Sequence, residues 1–437
     1  MIRSFFRPLF RLLTAFLILL AALPAAAGVA IEHWTTAAGA KVQFVESRGL
    51  PMLDIQVDFA AGSMFDPANK SGLAARTRAL LDLGAGARDE TAIAEELADI
   101  GAQLGGGADT DRASVSLRTL SAPDKQAVGI DILRSVLAQP RFDALILERE
   151  KERTIAGLKE AMTRPGSIAG KAFWAALYPD HPYGRQATPE SVAALSRADL
   201  VAFHARHYTA ANASITLVGD LSRAQAEQIA EQISASLPPG AAVPLPAAPA
   251  VGAGSSTAIA HPATQAHIYL GLPAIERGNP DFFPLLVGNY TLGGGGFVSR
   301  LMKEVRDKRG YAYSVYSYFA PLKQAGPFQI GLQTKRSQAS EAIKLSRQVL
   351  ERFLVEGPSE EELAAAKANL TGSFPLRLDS NRKILDNVAV IGFYGLPFDY
   401  LDRYQERVNA VTAAEVKAAF ARHIQPKALR IVTVAAD

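Results

Sequence analysis

Residues able to do chemistry are few in this chain, and several familiar sets are missing. There is no cysteine among the 437 residues, which removes thiolate metal sites, cysteine nucleophiles and any disulfide framework. No G-x-S-x-G turn presents a serine nucleophile. Seven histidines occur, at 33, 181, 204, 207, 261, 267 and 423. His204 and His207 stand three residues apart on a predicted helix, a spacing that could bring two imidazoles to one metal. No acid lies between them or in the next turn, and His207 has a counterpart in His423. A structural role at the helix end, bonding its last carbonyls, is the expectation. "LGGGGFVSRL" (292–301) places Gly293, Gly294, Gly295 and Gly296 ahead of a helix, a setting that can hold phosphate. It lacks the Lys-Ser/Thr of a phosphate loop and reads as a flexible loop.

The richest stretch is "GGGGFVSRLMKEVRDKRGYAYSVYSYFAP" (293–321). Phe297, Val298, Leu301 and Val305 read as the apolar stripe of a helix, with Arg306 off that stripe and Arg309-Gly310 as the stop. "YAYSVYSYF" alternates as a strand. Tyr311, Tyr313, Val315 and Ser317 share one face, and Ala312, Ser314, Tyr316 and Tyr318 share the other. Taken alone, these residues describe an aromatic sheet face beside a solvated arginine.

"SGLAARTRALLDLGAGA" (71–87) is an amphipathic helix with a glycine stop. Leu73, Thr77, Leu80 and Leu81 form its core-facing side. Ala75, Arg78 and Ala79 share the opposite face, and two alanines with an arginine do no chemistry there.

The elements that must position these residues come in two sets. Residues 1–27 have Arg3, Arg7 and Arg11, an apolar run and Ala25-Ala26-Ala27, the pattern of a cleaved secretory signal peptide. A bacterial protein exported to the periplasm is expected, with no membrane span after cleavage. Those three arginines equal the whole net charge of +3. The remainder is balanced and has no basic block, so nucleic acid is not an expected partner. A linker rich in proline, alanine and glycine at 237–256 separates residues 28–236 from 257–437. The halves rhyme: "ADLVAFHARHYTAANASITLVGD" (198–220) and "AEVKAAFARHIQPKALRIVTVAAD" (414–437) each give a helix, Ala-Arg-His, a turn and an apolar strand. Paired strands between long helices predict a duplicated α+β architecture with largely antiparallel sheets.

In order along the chain stand "AAGSMFDP", "SGLAARTRALLDLGA", "LEREKERTIAGLKE", "HPYGRQATPESVAALSRADLVAFHARHYT" and "RLMKEVRDKRGYAYSVYS". With these segments the chain resembles the pitrilysin-type (M16) zinc peptidases over essentially its whole length after the leader. The likeness is to their short two-domain branch, with the mitochondrial processing peptidases. The resemblance implies the LuxS/MPP-like metallohydrolase fold in a clam-like dimer. Catalytic members carry H-x-x-E-H on a helix that opens with glycine, two histidines binding zinc and the glutamate serving as general base. Aligned on Gly72, those positions are Ala75, Arg78 and Ala79. The resemblance puts a further ligand glutamate at Lys159 or Glu160, and one carboxylate alone cannot hold zinc. Arg306 and Tyr313 match the arginine and tyrosine, seven residues apart, with which the family grips substrate from its C-terminal domain.

The resemblance therefore implies a non-zinc-binding subunit of a heterodimeric periplasmic peptidase. It would have no cofactor of its own, while a partner carrying H-x-x-E-H would supply zinc. Arg306 and Tyr313 would hold the peptide and stabilise developing oxyanion charge, with the 293–296 glycines as a substrate loop. Two alternatives stay open. One is a peptide-binding or scaffold protein without a catalytic role. The other is a stand-alone metallopeptidase using His181, His204 and His207, although "HPYGR" reads as a structural turn.

Overall fold

The computed structural model describes residues 28–435. The expected leader, residues 1–27, lies outside them. From Ile31 onward the chain forms one compact unit. It is α+β, with two large sheets that are mixed but largely antiparallel, and a two-stranded ribbon of Gly84–Ala85 and Arg88–Asp89. The first sheet runs in the order Glu32–Thr35, Lys41–Glu46, Ala213–Gly219, Met52–Phe59, Ala113–Leu120, Gln103–Ala108. Its single parallel pair is Lys41–Glu46 beside Ala213–Gly219. The second runs Ser255–Ile259, Arg430–Val434, Gln265–Ile275, Gly326–Lys335, Ala312–Phe319, and its single parallel pair is Ser255–Ile259 beside Arg430–Val434. Apart from the added edge strand Glu32–Thr35, the two sheets are the same drawing. The duplication read in the sequence is a duplication of topology.

Strand alternation sets the two faces of the first sheet. Leu53, Ile55, Val57 and Phe59 enter an aliphatic core with Val42, Phe44, Val115, Leu117, Ile215 and Leu217. Asp54, Gln56 and Asp58 point the other way, yet all three are buried as well. The cover on this polar face comes from the other half. Helix Asn381–Tyr394 packs across strands Ala213–Gly219 and Met52–Phe59. In return, helix Pro165–Leu177 from the first half packs on Arg430–Val434 and Gln265–Ile275 of the second sheet. Glycine lets both contacts close up. A Cβ on Gly392 would stand 2.2 Å from Gln43 Oε1, and one on Gly271 would stand 2.7 Å from Phe173 Cζ.

A buried carboxylate ties the halves together further. Asp111 accepts from Tyr183 Oη at 2.7 Å, Tyr394 Oη at 2.8 Å and the Lys323 amide at 2.8 Å. Burial pushes the Asp111 carboxyl up, opposed by the two phenols. The segment from Pro238 to Gly254 has no regular structure, and strand Ser255–Ile259 begins inside the expected 237–256 linker. That segment is nevertheless pinned, because Gln324 donates to the Pro246 carbonyl and the Ala210 amide donates to that of Pro238.

Candidate functional site

Helix Leu73–Ala79 opens on Gly72, whose φ of 100° lies where residues with a Cβ are strained. Asp66 holds that opening, accepting from the amides of Gly72 at 2.7 Å and Ala74 at 2.8 Å. Burial pushes the Asp66 carboxyl up to about 6. Leu73, Thr77, Leu80 and Leu81 are buried as the stripe predicts. Arg78 is buried too, at 4% exposure, although its helical position puts it opposite that stripe. Its Nε donates to the Ser114 carbonyl and its Nη2 to that of Gly105, with Asp82 at 3.6 Å from Nη1. The guanidinium thus fastens the helix to strands Ala113–Leu120 and Gln103–Ala108.

This helix does not fit a zinc ion. Ala75 and Ala79 offer no lone pair, and between them stands a cation engaged with carbonyl oxygens. Glu160 is far from completing a ligand set: it is largely exposed and pairs with Arg164 at 3.2 Å. Among the described residues no group of three or more His, Asp or Glu is placed to hold a metal ion.

The histidines are separated by their partners. His204 Nε2 meets the Leu137 carbonyl at 2.8 Å, and His207 Nδ1 meets that of Ala60 at 2.8 Å. They bond carbonyls as expected, but of other elements, not of their own helix end. Burial lowers both, His207 to about 4. His181 Nε2 meets Gln324 Oε1 at 2.6 Å and belongs to the junction around Asp111. His423, the repeat counterpart of His207, pairs instead with Asp281 at 2.8 Å.

In the second half, Arg306 and Tyr313 come together. The guanidinium carbon lies 5.4 Å from the Tyr313 ring centroid and 4.8 Å from that of Phe297. Its ion-pair partner is Asp307, at 3.8 Å. Tyr313 lies on Ala312–Phe319, an edge strand whose other side has no strand partner among the described residues. The ladder with Gly326–Lys335 shifts register between Ala312 and Ser314, leaving Tyr313 as an extra, bulged residue. That insertion corrects the alternation read from sequence. Tyr313 does not share a face with the buried Val315 and Ser317; it is 86% exposed, on the solvent side with Ser314, Tyr316 and Tyr318.

The segment ahead of Arg306 also departs from expectation. Tyr290–Gly294 and Met302–Asp307 form wide helical turns with five-residue hydrogen bonding, a feature that often marks functional sites. Leu301 and Val305 are buried, but Phe297 is 68% exposed and Val298 is also exposed, so the four do not share a stripe. Gly293 and Gly294, read from the sequence as part of a flexible loop, end the first of these helical turns. A Cβ on Gly293 would meet Ser317 Oγ at 2.4 Å, and one on Gly294 would meet Asn289 Nδ2 at 2.6 Å. Asn289 and Ser317 clamp each other: Nδ2 donates to the Ser317 carbonyl at 3.0 Å and Ser317 Oγ donates to Oδ1 at 2.7 Å. This pair, which nothing in the local pattern signalled, fixes the glycine segment to the strand that carries Tyr313.

Two clefts flank the pair. One of about 480 Å³ is lined by Arg306, Tyr311, Tyr313, Gln333 and Lys335 among others. One of about 410 Å³ is lined by Gly293, Gly294, Gly296, Phe297, Arg306 and the exposed tyrosines.

Known proteins place this architecture. Residues 45–189 match insulinase (peptidase family M16), and residues 194–370 match the peptidase M16 inactive domain. The crystal structure of a peptidase M16 inactive domain from Pseudomonas fluorescens superposes with a TM-score of 0.90 at 40% identity, covering 93% of this chain and 98% of that one. A non-peptidase homolog from Helicobacter pylori is 26% identical over 88% of this chain and 89% of its own length. The periplasmic protease PqqL from Escherichia coli shares the fold (TM-score 0.80, 16% identity), with 95% of this chain covering 47% of that protein.

Proposed function

The chain belongs to the peptidase M16 family, and from that premise we propose that it is the non-zinc-binding subunit of a two-subunit periplasmic peptidase. An M16 partner carrying H-x-x-E-H supplies zinc and the general base, closing with this chain like a clam around a peptide. Residues 28–236 and 257–437 act as its two duplicated domains, each half of a chamber wall. The observation that carries the reading is the pairing of Arg306 with the bulged, exposed Tyr313 on an open edge strand. A peptide laid along that strand gains main-chain hydrogen bonds, while the guanidinium and phenol donate to a carbonyl oxygen as it gains charge. The glycine turns at 293–296 shape the side of that groove. Among the described residues no helix is long and apolar enough to cross a membrane, and export rests on the leader at 1–27.

The test is reconstitution. The chain from residue 28, mixed with an M16 chain that carries H-x-x-E-H, should cleave peptides that neither chain cleaves alone. Arg306→Ala should abolish most of that cleavage while leaving assembly intact. The Helicobacter relative named a non-peptidase homolog favours a second reading, a peptide-holding scaffold. Unchanged cleavage in Arg306→Ala would select it.

A further inference from the structure

The two clefts beside Arg306 differ in chemistry. In the larger one the charged lining residues are Arg306 and Lys335, set among the amides of Gln265, Gln333 and Gln338; no aspartate or glutamate lines it. No carboxylate stands within ion-pair distance of Lys335 among the described residues. The smaller cleft is walled by Phe297, Met302, Tyr316 and Tyr318, with Arg306 as its lone charge. Arg306 belongs to both walls. The rings of Phe297 and Tyr313 hold its guanidinium carbon at 4.8 and 5.4 Å, and its N–H groups meet an acid only at 3.8 Å, the adjacent Asp307. A guanidinium restrained by aromatic faces keeps its donor edges for a planar acceptor, and a carboxylate is the acceptor that matches both its shape and its charge.

We infer that this edge selects extended peptides bearing an acidic side chain, seated between Arg306 and Lys335, with a bulky apolar side chain nearby in the Phe297 cleft. The inference rests on reading Ala312–Phe319 as a peptide-binding edge and adds the class of peptide it takes. Arg306, Tyr313 and Ser314 line both clefts; the larger reaches across the sheet to Gln333, Lys335 and Gln265, and the smaller runs on to Tyr318. A single added strand therefore presents both side chains without leaving the ladder.

The probe is a set of three fluorescein-labelled nonapeptides with blocked termini, identical except for Glu, Gln or Lys at the centre and each with a leucine close by. Binding is read by anisotropy on the chain from residue 28, purified alone, at low and high salt. The Glu peptide should bind about fivefold tighter than the Gln peptide and the Lys peptide weakest, with the preference fading as salt rises. Lys335→Glu, a change at an exposed strand end, should cut the Glu preference at least about threefold, whereas Phe297→Ala should weaken all three peptides alike. Equal binding of Glu and Gln, tighter binding of Lys, or no binding of any of the three would overturn the inference. A Glu preference without partner-dependent cleavage would sink the two-subunit reading and leave this one standing.

Discussion

Arg78, buried on helix Leu73–Ala79, donates to the carbonyl of Gly105 on strand Gln103–Ala108. The same guanidinium bonds the Ser114 carbonyl, so one buried cation serves two strands of the first sheet. Removing it leaves two partly buried carbonyls without their donor. Arg78→Leu should lower unfolding free energy by about 2–4 kcal/mol, read by urea denaturation. A change below about 0.5 kcal/mol would show that the guanidinium is not a strut.

The same geometry bears on metal. Elemental analysis of the purified chain should find far less than one zinc per molecule, before and after dialysis against zinc. Stoichiometric zinc would move the active site to ligands other than those at Ala75, Arg78 and Ala79.

Arg306→Ala and Tyr313→Phe should each lower kcat/KM of the reconstituted peptidase by about 10²–10³-fold, the scale for losing one oxyanion donor. Tyr313 is exposed and Arg306 carries only a loose ion pair, so thermal unfolding should hardly move. Lost activity with a lowered Tm would instead mean that the pair is structural.

The exchanged helices give a packing prediction. A methyl at Gly271 would stand 2.1 Å from the Phe328 carbonyl oxygen as well as against Phe173. Gly271→Ala should cost about 1–3 kcal/mol and loosen helix Pro165–Leu177. Hydrogen exchange should accelerate in that helix, though it belongs to the other half of the sequence. Exchange confined to residues 257–435 would refute the coupling.

Buried His207 makes a pH prediction with a definite sign. Its folded value, about 4, lies below the ordinary 6.5 because burial disfavours the charged ring. Its contribution to stability is full above about 6.5 and is lost as pH falls toward 4, by up to about 3 kcal/mol. Asp58 and Asp66, pushed up to about 6 by burial, act in the opposite sense: their contribution is present below about 4 and lost as pH rises through 6. Comparison with His207→Gln isolates the histidine. The stability difference between the two proteins should shrink from pH 7 to pH 4, and a constant difference would contradict the assignment.

What was readable in the sequence follows from how local each feature is. The duplicated sheets were legible because "ARH" followed by an apolar strand occurs twice, and strand alternation is a local signal. That Ala75, Arg78 and Ala79 supply no metal ligand on helix Leu73–Ala79 was legible from residue identity alone. Burial of Arg78 was not, since its acceptors on Gly105 and Ser114 are backbone atoms distant in sequence. Alternation placed Tyr313 on the wrong face because period two assumes an unbroken ladder, and a bulge adds one residue without any composition mark. The stripe through Phe297 and Val298 failed for a related reason: turns closing over five residues do not keep a 3.6-residue period. Which sheet each of the helices Pro165–Leu177 and Asn381–Tyr394 covers was hidden altogether. An apolar helix face records that it must be buried, not against what.

Reciprocal exchange of those helices also governs the order in which a newly made molecule can be finished. The polar face bearing Asp54, Gln56 and Asp58 is made early, and its cover, residues 381–394, emerges from the ribosome more than three hundred residues later. Until then Asp58 can hydrate, and burying it without that helix offers no gain. The first half cannot complete its own layers, and closing both depends on contacts that are long-range in sequence.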